Sequence, residues 1–210
     1  MQGMPNALRQ TQDLPPGYPR GYSCVVGLAD GRRVQIRPIL PSDAPELAEA
    51  IRTADAETLH ARFMGGPPRL TPAVMDGLTR LDYVNRFALV ARSRGRCLGG
   101  GRGVAIARYA VQPATEGSLV VAEIAMAVAL EWRRVGLATV LVEMLARRAQ
   151  ECGITDFTAQ FLALNRPVTE LARDGHARVV IAKGVAQLHA NLNTPHEDWP
   201  GHGRSAGRGH

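Results

Sequence analysis

The sequence predicts an α+β domain, a mixed sheet with helices on both faces. Three observations carry that expectation. β-branched runs alternate with helical stretches along most of the chain, "RFALVARSRGRCLGGGRGVAIARYAV" followed by "SLVVAEIAMAVAL" reads as a three-strand meander, and Leu137, Val140, Leu141, Met144 and Leu145 recur at helical spacing. At 210 residues and 45% hydrophobic, the chain can bury one core of ordinary size and still leave tails.

The elements follow in order. Residues 1–21 are rich in Pro, Gly and Gln without a sustained period, the composition of a flexible arm. "YSCVVGL" and "RRVQIRPIL" flank "ADG", where Asp30-Gly31 can supply the positive φ angles of a tight hairpin. "PSDAPELAEAIRTADAETLHARFM" reads as helix, with Ser42 or Asp43 as cap, Pro45 in the first turn and Leu47, Ala50 and Ile51 on one face; a second short helix follows Asp55. After the break at "GGPPR", Thr71 is placed as an N-cap with Pro72 at the first helical position. Two strands then surround a turn at Ser93 to Arg96. "GGGRG" at Gly99 to Gly103 has neither the third glycine nor the following helix of a nucleotide loop, and marks a strand start or bulge. The long helix from Leu137 ends at Gly153, a left-handed stop. "ITDFTAQFL" is a strand, "NRPVTELARD" a short helix and "HARVVIAKGV" a last strand. The polar, Gly- and His-rich end completes a division into an arm at 1–21, a domain at 22–187 and a tail at 188–210.

Composition narrows the function. Cys24, Cys97 and Cys152 are odd in number and far apart, which argues against a disulfide framework and a zinc site. His189, His196, His202 and His210 show no regular ligand spacing, so no metal is expected. The +6 charge comes almost wholly from arginine, Lys183 being the single lysine, and the arginines are scattered, so nucleic acid is not a favoured partner. The longest apolar run, Leu119 to Leu130, is broken by Glu123 and too short to span a bilayer, and the N-terminus lacks an apolar signal region. A cytoplasmic protein is expected.

The stretch "EWRRVGLATVL", Glu131 to Leu141, opens the long helix without Ser, Thr, Asp or Asn as a cap. First-turn amides lack partners inside a helix, and the macrodipole makes that end partly positive. An anion can satisfy them: Gly136 and Ala138 leave the backbone accessible, a diphosphate is the obvious candidate, and Arg133 and Arg134 add cations at the rim. On spacing alone, a glycine that merely eases a strand-to-helix turn is an equal reading.

"RRVGLA" resembles the Q/R-x-x-G-x-G/A acyl-CoA pyrophosphate loop of the GNAT N-acyltransferases, and it too follows an apolar strand and opens a long amphipathic helix. "LADGRRVQIRPILPSDAPEL", "ETLHARFMG", "LDYVNRFALVA", "AEIAMAV" and "ALNRPVTEL" resemble, in order, segments of the Pat-type bacterial protein lysine acetyltransferases, over about Ala29 to Lys183. The resemblance implies a twisted, mostly antiparallel sheet of about six to seven strands. It implies acetyl-CoA as cosubstrate, with the pyrophosphate on Arg133, Arg134, Val135, Gly136, Leu137 and Ala138. The pantetheine arm would pair with backbone of Ala125, Met126 and Ala127, and Asn165 would sit near the thiol end.

Glu123 is the one charge in "LVVAEIAMAVAL". Burying a carboxylate costs several kcal/mol unless it is paired. It either faces solvent, or forms a salt bridge to Arg102 or Arg108 of the neighbouring strand, or is partly buried so that its raised pKa suits a base. The resemblance to Pat-type enzymes implies the last role, since a lysine amine with a pKa near 10.4 must lose a proton before attacking a thioester. One position departs from the family: many members carry a Tyr seven residues after the motif asparagine, where this chain has Ala172, and "RDGH" is one residue shorter than the usual ending. The expected function is an N-acetyltransferase working by direct transfer in a ternary complex, foremost to a protein lysine. A small-molecule amine acceptor and a non-catalytic acyl-CoA-binding module are the alternatives.

Overall fold

The computed structural model describes residues 14–55, 69–94, 101–113 and 119–193. Eight strands form one sheet in the order β1-β2-β3-β4-β5-β6-β8-β7. They are β1 (Cys24–Gly27), β2 (Arg33–Pro38), β3 (Arg86–Ser93), β4 (Gly103–Val111), β5 (Val121–Val128), β6 (Asp156–Leu162), β7 (Arg178–Ala182) and β8 (Val185–Asn191). Every neighbouring pair is antiparallel except β5 and β6. Among the described residues four α-helices accompany them: α1 (Ala44–Thr53), α2 (Pro72–Thr79), α3 (Leu137–Glu151) and α4 (Arg166–Asp174).

Helices lie on both sides of the sheet. α3 buries Leu137, Leu141, Leu145 and Ala149, one stripe at four-residue intervals. Its Arg148 lies over the Phe87 ring at 6.0 Å, whereas α1 reaches Arg92 of the same strand through Glu46. Phe87 and Arg92 have opposite parity on β3 and so leave opposite faces. An aromatic row, Tyr22, Phe87, Tyr109 and Phe157, runs beneath α3 with ring centroids 5.5, 5.8 and 6.0 Å apart. A second, small cluster of Phe161, Ala172, Ala186 and Leu188 lies between α4, β6 and β8.

The local signals at several ends hold. Thr71 Oγ1 accepts from Val74 N at 3.3 Å with Pro72 beginning α2, and Gly153 (φ 78°) ends α3 while Ile154 N returns to Ala149 O at 2.9 Å. The β3–β4 register shifts opposite Ala91 and Arg92, and just before it Gly101 passes so close to β3 that a Cβ there would lie 1.6 Å from Ser93 O, an approach that requires glycine. The expected second helix after Asp55 and residues 95–100 of the β3–β4 turn fall outside the described residues.

Three expectations are corrected. There are eight strands, not six to seven, because β8 occupies residues whose polar character suggested the start of a tail. Ala186, Leu188 and Ala190 alternate with Gln187, His189 and Asn191, a period of two, and Lys183 (φ 50°) and Gly184 (φ 80°) form the hairpin turn with two positive φ angles. The last part of the expected arm is packed: Tyr18 donates to Pro38 O at 3.2 Å and meets Tyr83 edge-on at 5.4 Å. Neither Ser42 nor Asp43 caps α1 through its side chain. The Asp43 carboxylate instead accepts from both Arg37 terminal nitrogens, at 2.7 and 2.6 Å, and from Leu40 N at 2.7 Å.

Tyr83 is fully buried, and its hydroxyl donates to Ile39 O at 2.9 Å, joining two connections of the core; burial pushes the phenol up to about 12. Tyr83→Phe leaves that carbonyl unpaired in a dry site and is expected to cost about 1–2 kcal/mol, seen as a lower urea midpoint at unchanged m-value.

Candidate active site

β5 and β6 share only three rungs, Val121 with Asp156, Ala122 with Phe157 and Glu123 with Thr158. Beyond them the strands separate, and a cleft of about 360 Å³ opens between β5, β6, α3 and α4. On its other edge β5 remains paired with β4 throughout. Gln112 N donates to Val121 O and Ala129 N to Val104 O, both at 2.9 Å, which sets the phase of that ladder: odd-numbered residues of β5 turn their peptide groups to β4. Ile124, Met126 and Val128 therefore turn theirs toward the gap. Of the three β5 residues picked out in the sequence, Met126 presents its backbone to the opening, while the peptide groups of Ala125 and Ala127 belong to β4.

At the far end of β5 the chain makes one 3₁₀ turn, Leu130–Trp132, and passes through Arg134 (φ 60°) and Gly136 (φ 85°) before α3 begins at Leu137. The first bond of the helix is Val140 N to Gly136 O at 3.2 Å; no side chain caps it, and its first turn holds no acidic residue. The amides of that turn consequently point into open space, and nothing lies within 4 Å of where a Gly136 Cβ would stand. What requires glycine here is the left-handed φ. Arg134 is exposed at the rim, whereas Arg133 is half-buried and turns back to donate from Nε to Val128 O at 3.2 Å.

The β1–β2 turn braces this loop. Ala29 N donates to Val135 O at 3.2 Å, and Arg32 donates from Nη2 to Glu131 O at 2.8 Å while its guanidinium lies 3.9 Å above the Trp132 ring. Asp30 aims Arg32 by accepting from its Nε at 2.5 Å. Trp132, nearly buried, is part of the core rather than a recognition surface.

Glu123, Ala125, Met126 and Asn165 all line the cleft, together with Ala172 at its α4 wall. Asn165 caps α4, its Oδ1 accepting from Val168 N at 3.4 Å, a local duty that its motif position did not announce. Ala172 is buried in the small core and offers no hydroxyl. Of the readings of Glu123, its side chain takes the solvent-facing one, because its parity places it on the face opposite α3. Arg102, considered as its partner, lies near Glu131 at 3.8 Å instead. On that opposite face a trough of about 510 Å³ begins at Glu123 and continues over Thr158, Gln160, Gln187, His189 and Arg178. Glu123 thus borders both openings. Of the trough residues, Thr158, Gln160, Gln187 and Arg178 carry no signal in the sequence, and the common face they share with Glu123 and His189 follows from the β6-β8-β7 order, which no local pattern encodes.

Among the described residues no group of His, Cys, Asp and Glu is arranged to hold a metal, and no helix is long and apolar enough to cross a membrane. The sequence profile of the acetyltransferase (GNAT) family matches residues 55–175. The chain belongs to the GNAT acetyltransferase family. It is therefore an acyltransferase by family. An acetyltransferase of Pseudomonas aeruginosa, PA5475, is 33% identical over 151 residues, covering 72% of this chain and 78% of that protein. The crystal structure of the GNAT domain of Streptomyces lividans PAT superposes with a TM-score of 0.71 at 29% identity, covering 83% of this chain and 99% of that one. Arabidopsis thaliana NAA60 in complex with acetyl-CoA shares the fold at a TM-score of 0.59 and 16% identity, over 76% of this chain and 99% of its own.

Two substitutions test the loop. Gly136→Glu is expected to abolish acetyl-CoA binding in calorimetry by setting a side-chain anion before the open amides. Arg32→Met removes the bond to Glu131 O and the cation over Trp132, and is expected to raise the KM for acetyl-CoA several-fold, roughly 1 kcal/mol, with kcat little changed.

Proposed function

We propose that this acetyltransferase moves acetyl from acetyl-CoA directly to an amine in a ternary complex, with a protein lysine as acceptor and Glu123 as general base. The observation that carries the proposal is the position of Glu123 between the cleft and the trough. A cofactor arm lying in the cleft meets the open backbone of Ile124, Met126 and Val128, and its diphosphate meets the uncapped end of α3. The amine arrives from the polar side.

An ammonium cannot attack a thioester, so the first task is deprotonation. Glu123 takes the proton, directly or through one water, and its exposure leaves a free route for passing that proton to solvent. The nitrogen then bonds to the acetyl carbon, the carbon–sulfur bond breaks, and the sulfur leaves with the electron pair as thiolate. With Ala172 where a tyrosine would protonate it, the thiolate leaves unaided; thiols with pKa around 8.5 are adequate leaving groups. The similarity to the S. lividans PAT domain supports a lysine acceptor. Free thiols at Cys24 and Cys152 fit a cytoplasmic setting.

Ala172 also sustains a second reading, an acyl-CoA-binding module without turnover. Thiol release from acetyl-CoA, followed with peptide and small-amine panels, separates the readings. Lysine-peptide-dependent release is expected, falling by about 10²–10⁴-fold in Glu123→Gln with acetyl-CoA affinity intact. Release with small amines only would replace the protein acceptor, and tight binding without release would establish the module.

A further inference from the structure

Glu123, Thr158, His189 and Arg178 stand opposite one another on β5, β6, β8 and β7. Their side chains leave the same face of the sheet in a single row, and all four line the trough. Strands lie about 4.8 Å apart, so three intervals separate the Cα atoms of Glu123 and Arg178 by about 14 Å. The row begins with a carboxylate and ends with a guanidinium. Arg178 is exposed and forms no ion pair among the described residues. His189, between them, is steadied by a diagonal neighbour on the same face, its Nε2 lying 3.4 Å from Oδ1 of the buried Asp156.

We infer that the trough selects lysines in acidic sequence context, and that Arg178 is the residue that reads the acid. The inference rests on the reading of Glu123 as the place where the amine is deprotonated. An acceptor matching the row carries its charges in the reverse order, an ammonium at Glu123 and a carboxylate toward Arg178. The spacing restricts what that acceptor can be. An extended peptide advances about 3.4 Å per residue and returns side chains to one face at every second position, so an Asp or Glu two to four residues from the lysine spans the row once the reach of the guanidinium is included. In a free α-amino acid the carboxylate lies two bonds from the amine and cannot reach. A polyamine has no anion to offer. Thr158, Gln160 and Gln187 furnish hydroxyl and amide groups along the floor, suited to peptide backbone rather than to an apolar ligand.

The experiment compares matched peptides with one lysine and either Glu or Gln at each position two to four residues away on either side, followed by thiol release. Glu is expected to raise kcat/KM by about two- to fivefold at its best position, mainly through KM and less at high salt. Arg178→Glu is expected to reverse the preference, favouring Arg over Glu at that position, while acetyl-CoA affinity is unchanged. Peptides acetylated without regard to the acid, or a preference that persists in Arg178→Glu, would overturn this inference alone. Acetylation confined to small amines would overturn it together with the lysine acceptor.

Discussion

One parallel pairing that stops after three rungs governs the arrangement of the site. Because β5 is bonded to β4 along its whole length, its other edge beyond Glu123 is a strip of backbone donors and acceptors with no strand to meet. Parallel neighbours also require a crossover, here α3, which starts past the C-terminal end of β5 and returns the chain to β6. The same connection that makes the pair parallel thus delivers the positive end of a fifteen-residue helix to the end of the open strip. Open backbone and open helix terminus are two results of one topology, and together they match a long ligand with amides in its middle and phosphates at one end.

Arginine holds this arrangement in shape. All but one of the 25 basic side chains are arginines, and several are spent inside the protein. Arg37 forks onto Asp43, Arg92 gives Nη1 to Glu46 and Nε to Gly101 O, Arg32 gives Nη2 to Glu131 O and Nε to Asp30, and Arg148 gives Nε and Nη2 to Tyr83 O at 3.1 and 3.0 Å. A planar donor fork can tie a connection to a carboxylate or carbonyl where a lysine would supply one swinging charge. Each of these arginines also pairs with a carboxylate, Asp30, Asp43, Glu46 or Glu151, so the ties order the connections without adding net charge.

What could be read from the sequence followed from local chemistry. Leu137 to Leu145 at helical spacing, Gly153 as a stop, Thr71-Pro72 as a start and Asp30-Gly31 as a turn each depend on neighbours a few residues away. The uncapped opening at Gly136 was legible for the same reason, since the absence of Ser, Thr, Asp or Asn is itself local. The failures have the opposite character. β8 was lost because Gln187, His189 and Asn191 are polar, although they are only the exposed half of an alternating strand. "LVVAEIAMAVAL" leaves open whether Glu123 faces solvent or is partly buried, because which parity of β5 lies under α3 is decided by the pairing with β4 and not by the run itself. Which peptide groups of Ala125, Met126 and Ala127 face the gap depends on ladder phase, and the row from Glu123 to Arg178 on strand order, both of which are long-range.

The two hydrophobic clusters bear on how the protein holds together in its working cycle. Phe161, Ala172, Ala186 and Leu188 are a modest nucleus for α4, β8 and the far end of β6, while the larger core takes in the strands before them, α3, Phe157 of β6 and Leu192. A segment with little apolar area of its own opens more readily than its neighbour. A ligand lying along β5 against the α4 wall touches both parts at once and acts as mortar between them. Its binding energy then appears as cohesion of the wall built by α4, so saturation with cosubstrate would slow the local opening of that wall.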